Sequence, residues 1–406
     1  MKRRELLKSM SALPVSGLVI GNSFQFESES IKSTASADTG RDLLKELGIR
    51  KFINAVGTVT FMTGSLMHRE VVDAIATSST DFCILDEVQD KVGAKIAALC
   101  HAEAATVTAG CWSAMALGMA GVLTGMDQKK VNQLPNLDGM KSEVILQKKH
   151  NYGYVHAIES CGVKLVEVET AEDLEKAINE KTAMLWFLNF AANDGLIKYE
   201  EFVALGKKHN IPTMIDIAAD VPPVENLWRF NDMGFDLVCI SGGKAMFGPQ
   251  STGILMGKKD LIAAARLSAP PRGGIARGHK VNKEEILGMY VALEKYINTD
   301  HDKEWKMWEE RISIVDASVK KVKGVSTEIK VPPINNHTPN LHITWDPALT
   351  KLTSTEMQER LRKGEPSIEV SGGSGNDITI AVFLLKPDQD KILAKRITEE
   401  LSRATA

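Results

Sequence analysis

Several features that would narrow the function class are missing from this 406-residue sequence. Its 49 basic and 52 acidic side chains give a net charge of −3, so no basic excess indicates nucleic-acid binding. The five cysteines are scattered and form no C-x-x-C pair, so neither a disulfide framework nor a metal site is indicated. Beyond the N-terminal region, no apolar run is long enough to span a bilayer. The remaining composition, 44% hydrophobic and 25% charged, is that of a globular protein.

The N-terminus is basic and then apolar. An Arg3-Arg4 pair precedes the apolar run Ala12–Ile20, an order typical of a secretory signal that resembles the twin-arginine type. Ala35–Ala37 fits a cleavage site, and cleavage there would remove five basic and three acidic residues, leaving a net charge of −5. We therefore expect an exported, periplasmic protein with no membrane association after cleavage. The alternative is an exposed basic tail on a cytoplasmic protein.

Short apolar runs alternate with helical patterns between residues 70 and 290. The predicted strands are Ala104–Thr108, Glu143–Leu146, Lys164–Val168, Ala183–Asn189, Thr213–Ile217, Leu237–Ser241 and Gly253–Gly257. Continuous apolar strands of this length, separated by helices such as Tyr199–His209, predict a mostly parallel sheet covered on both faces.

The C-terminal part has a different pattern. Asn282–Val322 predicts one or two long helices, after which Ser326–Val331, Leu341–Trp345 and Ile378–Leu385 are strand-like and Asp388–Ala404 is an amphipathic helix. We expect a smaller α+β domain here. The predicted organisation is an export signal (1–37), an N-terminal arm (38–60), a large domain (61–295), and a linking helix with a small domain (296–406).

Lys244 is the residue that most directly indicates chemistry. The buried strand Leu237–Ser241 ends in Ser-Gly-Gly-Lys, and an ammonium group at the end of a core strand is costly to bury. A Schiff base between this amine and the aldehyde of pyridoxal phosphate (PLP) removes that cost and activates the lysine for exchange with a substrate amine. Ser241 could bond the cofactor phosphate. The alternative for Lys244 is a surface lysine in a glycine-rich turn.

Polar residues also end the two preceding strands. Asp216 is an isolated acid after the apolar run Thr213–Ile215, at the sheet edge where ligands bind in open α/β folds. A carboxylate there can pair with the protonated pyridine nitrogen and make the ring an electron sink. Asn189, which ends the strand before it, could bond the phenolic oxygen of the cofactor. The alternatives are a helix cap for Asp216 and a turn former for Asn189.

A phosphate site is expected upstream. Gly110, Cys111, Trp112 and Ser113 follow a short strand and open an Ala- and Met-rich helix, whose free N–H groups favour a dianion. His150 could supply a ring to stack on the pyridine, or a cation for a substrate anion. Alternatively, it satisfies a loop carbonyl.

These motifs resemble a known family. The segments AGCWSA, MIDIAAD and SGGKAMFGPQSTGILMGKKDLI are similar to the bacterial selenocysteine synthase group of PLP enzymes, as are Asn54–Thr58 and the stretch Leu361–Pro366. Ile275–Glu285 and two earlier segments around Gln133 and Met140 are similar to its D-glucosaminate-6-phosphate ammonia-lyase-like branch.

The resemblance implies an α/β fold of the PLP-dependent transferase type (fold type I), with a mostly parallel, seven-stranded type of sheet and a small C-terminal α+β domain. It implies Lys244 as the Schiff-base lysine and Asp216 as the pyridinium partner. It also indicates substrate contacts, here assigned to Arg277, Lys280, Thr58 and Arg362, and sites built in a homodimer or larger homo-oligomer. Solvated charges beside a helix start remain an alternative for Arg277 and Lys280.

The expected function is that of a PLP-dependent lyase. Lys244 would act as base, and elimination of water and ammonia from an amino acid or amino sugar acid would give a keto acid. The alternatives are an aminotransferase or epimerase, a selenium-transferase-like protein, and a non-catalytic PLP-binding protein. Export and the absence of a basic surface excess argue against a tRNA partner; the expected partner is a small-molecule amine, and no metal is expected.

Overall fold

A computed structural model describes residues 41–373 and 375–405. The predicted export signal, with Arg3-Arg4 and the cleavage site at Ala35–Ala37, lies outside these residues. Within the described ranges, no helix combines the length and the apolar character needed to cross a membrane.

Strands and helices alternate along most of the described chain. The strands are β1 (Ile53–Ala55), β2 (Ala104–Thr108), β3 (Glu143–Gln147), β4 (Lys164–Val168), β5 (Thr182–Leu188), β6 (Thr213–Asp216), β7 (Leu237–Ser241), β8 (Gly253–Gly257), β9 (Val325–Lys330), β10 (Asn340–Trp345), β11 (Ile368–Gly372) and β12 (Asp377–Ala381). The helices are α1 (Leu43–Glu46), α2 (Arg69–Ser78), α3 (Leu85–Leu99), α4 (Gly110–Thr124), α5 (Gln128–Gln133), α6 (His156–Glu159), α7 (Ala171–Ala177), α8 (Tyr199–His209), α9 (Asn226–Met233), α10 (Lys259–Leu267), α11 (Lys283–Ile297), α12 (His301–Val319), α13 (Ser354–Lys363) and α14 (Gln389–Ala404).

The larger sheet has seven strands in the order β2-β8-β7-β6-β5-β3-β4. β8 runs antiparallel to both of its neighbours, and the other pairings are parallel. This confirms the predicted mostly parallel sheet. Parallel strands need crossover connections, and the intervening helices supply them.

Both faces of this sheet are buried, as its continuous apolar strands predict. Every residue of β5 is buried. Leu185 and Phe187 pack into one cluster with α8, while Met184 and Trp186 pack into a second cluster with α4. Alternate residues of a strand point to opposite faces, so the two clusters form separate layers above and below the sheet.

A second, five-stranded sheet has the order β1-β11-β12-β10-β9. Its apolar residues pack with α12 and α14 in a third cluster, which forms the core of the smaller C-terminal part. β1 lies in the segment predicted as an arm, yet it pairs in parallel with β11, so Ile53 aligns with Ile368. The strand predicted over Ile378–Leu385 ends earlier, at Ala381.

Candidate active site

The carboxyl ends of three neighbouring parallel strands bring the predicted residues together. β5, β6 and β7 pair side by side, with Leu188 aligned to Asp216 and Asp216 aligned to Cys239. Asn189 directly follows β5, Asp216 ends β6, and Lys244 lies three residues beyond the end of β7. Residues that are far apart in the sequence therefore meet at one sheet edge, which is the ligand-binding edge of open α/β folds.

Asp216 is a buried carboxylate with few partners. It is 3% exposed, and its Oδ1 atom accepts hydrogen bonds from the Ala218 N–H at 2.9 Å and the Cys111 thiol at 3.3 Å. Burial raises the pKa of Asp216, while the Ala218 N–H and the positive charge of Lys244 oppose that rise. A further cation at this position would favour the ionised carboxylate, and a protonated pyridine nitrogen is such a cation.

Lys244 opens onto a cavity of about 300 Å³. Mostly small and polar residues line this cavity: Thr58, Thr60, Gly64, Ser241, Gly243, Lys244, Gln250 and Ser251. Two predicted residues, Ser241 and Thr58, thus lie beside the lysine. The opening next to a half-buried amine leaves room for a ligand at the nitrogen.

The start of α4 is a helix terminus without a side-chain cap. Gly110 has a φ of 82°, and no side chain caps the helix at Ala109. The first N–H groups of a helix have no partner within the helix, so those of α4 are available for an anion. A methyl group on Gly253 of β8 would lie 2.4 Å from the Gly110 carbonyl carbon, so this close approach requires glycine.

The other predicted phosphate residues differ in their surroundings. Ser113 is 1% exposed, and its Oγ atom lies 3.1 Å from Nδ1 of His279. Cys111 is also buried, and burial raises the pKa of its thiol well above the ordinary value. Trp112 is 43% exposed, so its bulky ring points away from the packed interior. Gly110 and Ser113 therefore fit an anion site better than Trp112 does.

His150 cannot supply the predicted cation. It is fully buried, its Nδ1 atom lies 3.2 Å from the Leu188 N–H, and its ring packs edge-on against Phe187. Burial lowers the pKa of His150 to about 4, so the ring is neutral at neutral pH. A neutral, buried ring does not fit the cation role, and contact of His150 with the cofactor ring remains a prediction. The main chain holds His150 through the Leu188 N–H.

Asn189 is buried at the end of β5. Its Oδ1 atom accepts a hydrogen bond from the Tyr199 hydroxyl at 2.7 Å. Its side chain opposes the rise in the pKa of Asp220. Contact with the cofactor's phenolic oxygen remains a prediction.

The four predicted substrate residues do not form one cluster. Thr58 donates to Oδ1 of Asn336 at 3.2 Å and lies on the cavity wall. Arg277 and Lys280 are exposed and are not part of that wall, so their substrate contacts remain predictions.

Arg362 has a structural partner. Its Nε and Nη2 atoms bond both carboxylate oxygens of Glu369 at 3.0–3.1 Å, and Arg50 also bonds Glu369 at 2.6 Å. The Glu369 side chain is 4% exposed, so it needs these cations for compensation. Arg362 therefore has a structural role in the fold, and its substrate contact remains a prediction.

Asp220 ends the segment MIDIAAD, but the sequence analysis assigned it no role. This residue is four positions after Asp216 and is 4% exposed. Its Oδ1 atom has no hydrogen-bond partner among the described residues. Burial raises the pKa of Asp220 to about 6, helped by the charge of Asp216 and opposed by Asn189 and Lys244. Because Asp220 follows the strand in an apparently ordinary turn, only the folded chain reveals its burial.

Comparisons with known proteins confirm the resemblance read from the motifs. A family model described as "SelA: L-seryl-tRNA selenium transferase" matches residues 154–331. The chain is 28% identical over 338 residues to D-glucosaminate-6-phosphate ammonia lyase of Salmonella typhimurium, covering 80% of this chain and 88% of that protein. It is 26% identical over 372 residues to 5'-C-glycyluridine monooxygenase-decarboxylase of Streptomyces sp., covering 88% of this chain and 91% of the relative.

The fold comparison gives a consistent result. A solved structure of D-glucosaminate-6-phosphate ammonia-lyase superposes with a TM-score of 0.79 at 26% identity, covering 90% of this chain and 99% of that one. The architecture, a mostly parallel seven-stranded sheet with a smaller C-terminal domain and a further sheet, is that of PLP enzymes of fold type I. The predicted fold class is therefore confirmed.

Proposed function

We propose that this chain is a PLP-dependent lyase that eliminates water and ammonia from an amino acid or amino sugar acid. The observation that carries the proposal is the buried Asp216 carboxylate beside the cavity-facing Lys244 at one sheet edge. The choice of a lyase rests on the similarity to the ammonia-lyase, which extends over most of both chains in sequence and in structure.

The residues of the site fit PLP. The Lys244 amine would hold the aldehyde carbon, and Asp216 would pair with the pyridine nitrogen. The uncapped start of α4 would bind the phosphate, with Ser241 near Lys244 as a further donor. When bound, the cofactor supplies an electron sink for charge that develops on the substrate α-carbon.

The protein side chains then handle protons and position groups. The Lys244 amine, when it is not bonded to the cofactor, would take the α-proton of the substrate. An ionised Asp216 would pair with a protonated ring nitrogen. The net reaction would remove water across the α- and β-carbons, and addition of water to the resulting imine would release ammonia and a keto acid.

A substrate screen tests this proposal. We expect the purified protein, incubated with PLP and a panel of amino acids and amino sugar acids, to release ammonia and a keto acid. The Lys244→Ala variant should lose activity by a factor of about 100 or more, because it lacks both the attachment point and the base. Lys259→Ala, which removes an exposed lysine, should behave like the wild type.

The same screen separates the alternatives. Transfer of the amino group to an added keto acid would identify an aminotransferase, and a change of stereochemistry alone would identify an epimerase. Turnover that requires oxygen would favour chemistry like that named for the Streptomyces relative. If borohydride reduction of the PLP-loaded protein, followed by peptide mapping, left Lys244 unlabelled, the proposal would be wrong.

Export remains part of the proposal and rests on the sequence of residues 1–37. We expect the full chain to be recovered in the periplasm after expression in a bacterium with the twin-arginine route. Replacing Arg3-Arg4 with two lysines should retain it in the cytoplasm, while replacing Lys8 with arginine should not. Equal distribution of both variants would contradict export by this route.

A further inference from the structure

A second polar cavity lies between the five-stranded sheet and the segment that follows β1. It has a volume of about 210 Å³. Its polar wall is formed by the side chains of five residues, none of which carries a charge: Asn335, Asn336, Asn340, Ser371 and Thr379. The main chain at Gly57 closes it on the side of β1. This distal cavity is distinct from the one that Lys244 lines.

The register of the second sheet explains the polar wall. His342 of β10 aligns with Thr379 of β12, and Thr379 also aligns with Ser371 of β11. Because alternate residues of a strand point to opposite faces, Asn340 and His342 share one face with these two residues. Leu341, which lies between them in the sequence, is fully buried in the cluster on the other face. The polar face is therefore left for the cavity, and His342 Nδ1 lies 3.0 Å from the Thr379 hydroxyl oxygen.

One hydrogen bond connects the walls of the two cavities. Thr58 lines the cavity that contains Lys244, and its hydroxyl donates to Oδ1 of Asn336 at 3.2 Å. Asn336 and Gly57, which directly precedes Thr58, both line the distal cavity. The loop of Asn336 is fixed because its main-chain N–H donates to the Ala219 oxygen at 2.8 Å. A ligand at Lys244 that extends past Thr58 would therefore enter the distal cavity.

Several groups of the distal wall keep hydrogen-bonding capacity for a ligand. Asn340 Nδ2 donates to the Thr338 oxygen at 3.2 Å, which leaves its Oδ1 atom as an acceptor. Asn335 Oδ1 accepts from Asn336 Nδ2 at 3.3 Å, which leaves its own Nδ2 atom as a donor. The Ser371 hydroxyl has no partner within residues 41–373 and 375–405. A hydroxyl group both donates and accepts, so this mixed set suits a ligand that carries hydroxyl groups.

The charges near the distal cavity do not favour an anion. Lys330 of β9 aligns with Asn340 and lies on the same face, but its Nζ atom bonds Glu328 at 3.0 Å. Neither of these charged residues lines the cavity. An unpaired phosphate would be costly to bury there, whereas a hydroxyl group with partners would not. Ala381 and Phe383 add an apolar wall that can pack against C–H groups.

We propose that the distal cavity binds the unphosphorylated, hydroxyl-bearing end of an amino sugar acid whose amino group reaches Lys244. This inference rests on the proposed function for the place of the amino group, and it narrows the substrate class to acids with a neutral polyhydroxy chain. The similar ammonia lyase of Salmonella typhimurium is named for a phosphorylated sugar acid, so we expect the two proteins to differ at this end of the substrate.

Sugar acids that lack an amine test the cavity apart from catalysis. We expect calorimetry to show that the PLP-loaded protein binds D-gluconate about tenfold or more tightly than 6-phospho-D-gluconate, because the phosphate would be buried unpaired. Ser371→Ala should weaken D-gluconate binding by about two- to tenfold, because one hydrogen bond is lost. Ser142→Ala, which removes another half-buried hydroxyl just before β3, should bind like the wild type.

An added cation provides the converse test. Ser371→Lys should reverse the preference and bind 6-phospho-D-gluconate more tightly than D-gluconate, because the ammonium group would pair with the phosphate. If this variant does not fold, Thr379→Val takes its place. It keeps the shape of the side chain without the hydroxyl, and it should weaken D-gluconate binding as Ser371→Ala does.

The inference is overturned if wild type fails to bind D-gluconate, if it binds the 6-phosphate equally or more tightly, or if Ser371→Ala behaves like Ser142→Ala. It can fail separately from the lyase. Ammonia release from amino sugar acids with a preference for the 6-phosphate would reject the role of the distal cavity and keep the lyase. Selective binding of D-gluconate without ammonia release from any amino sugar acid would keep the distal cavity and reject the lyase.

Discussion

At the scale of single residues, burial acts in opposite directions on two groups near the sheet edge. It lowers the pKa of His150 to about 4 from 6.5 and raises that of Asp220 to about 6 from 3.8. In both cases the charged form is disfavoured, because the side chain leaves water. The two groups therefore change the free energy of unfolding with opposite slopes over nearly the same pH range.

This opposition gives a prediction for the apoprotein. The contribution of Asp220 to the free energy of unfolding is complete below pH 3.8 and is lost as the pH rises to about 6, since the folded state holds the extra proton. The contribution of His150 is full above 6.5 and is lost as the pH falls to about 4. Each amounts to about 3 kcal/mol at most, from a shift of about two units.

Denaturant unfolding at several pH values checks these signs. As the pH rises from about 4 to about 7, Asp220→Asn should become more stable relative to wild type, because wild type loses the contribution of Asp220. As the pH falls across the same range, His150→Asn should become more stable relative to wild type. Glu310→Gln, at an exposed position on α12, serves as the control and should show a constant difference. A pH-independent difference for Asp220→Asn would contradict the assigned burial effect.

At the scale of secondary-structure elements, the sequence predicted the large sheet well. The bounds of β2, β4, β7 and β8 match the predicted strands, because continuous apolar runs between helical segments have few other interpretations. β11 was not predicted. It is short, and its pairing with β1 depends on residues more than 300 positions away, so local patterns carry little information about it.

The same limit applies to the site. Asp216 and Lys244 could be singled out from the sequence because each lies at or shortly after the carboxyl end of a buried strand. Asp220 could not, because its burial depends on the loop at Asn335, over 100 residues later. The ion pair of Arg362 could not be predicted, because its partner, Glu369, is recognisable only after β11 is in place.

The contact between β8 and α4 gives a prediction at this scale. Gly253→Ala should force the Gly110 end of α4 away from the sheet and lower both stability, by about 1–3 kcal/mol, and PLP affinity. The control is Gly273→Ala, since a methyl group there meets nothing within 4 Å and should change stability by less than about 0.5 kcal/mol. Thermal unfolding and PLP titration measure the two effects; equal behaviour of both variants would argue against the close approach.

At the scale of the whole molecule, several large apolar side chains between residues 61 and 84 are strongly exposed. Phe61, Phe82 and Ile84 are 81%, 105% and 69% exposed, and Leu66 between them is 59% exposed. Exposed apolar groups of this size favour a protein interface. These residues lie close in sequence to Thr58 and Thr60 on the cavity wall, so we propose that a second copy of this chain covers them.

Light scattering tests this assembly. We expect the protein to be a dimer or larger oligomer, and Phe82→Asp to weaken association by about tenfold or more, because a buried charge would replace an apolar contact. Ile329→Asp, at an exposed position on β9, serves as the control and should leave the assembly intact. A monomeric wild type at micromolar concentration would contradict the proposal.

The pairing of β1 with β11 has a consequence for biosynthesis. The first strand of the described chain is completed by residues 368–370, close to its end. A nascent polypeptide can assemble the large sheet while translation continues, because β2 to β8 are contiguous in sequence. The second sheet must wait until residues 368–370 have been synthesised, well after β8. Ribosomes that stop early would therefore release chains with Ile53–Ala55 unpaired, an open edge that invites aggregation.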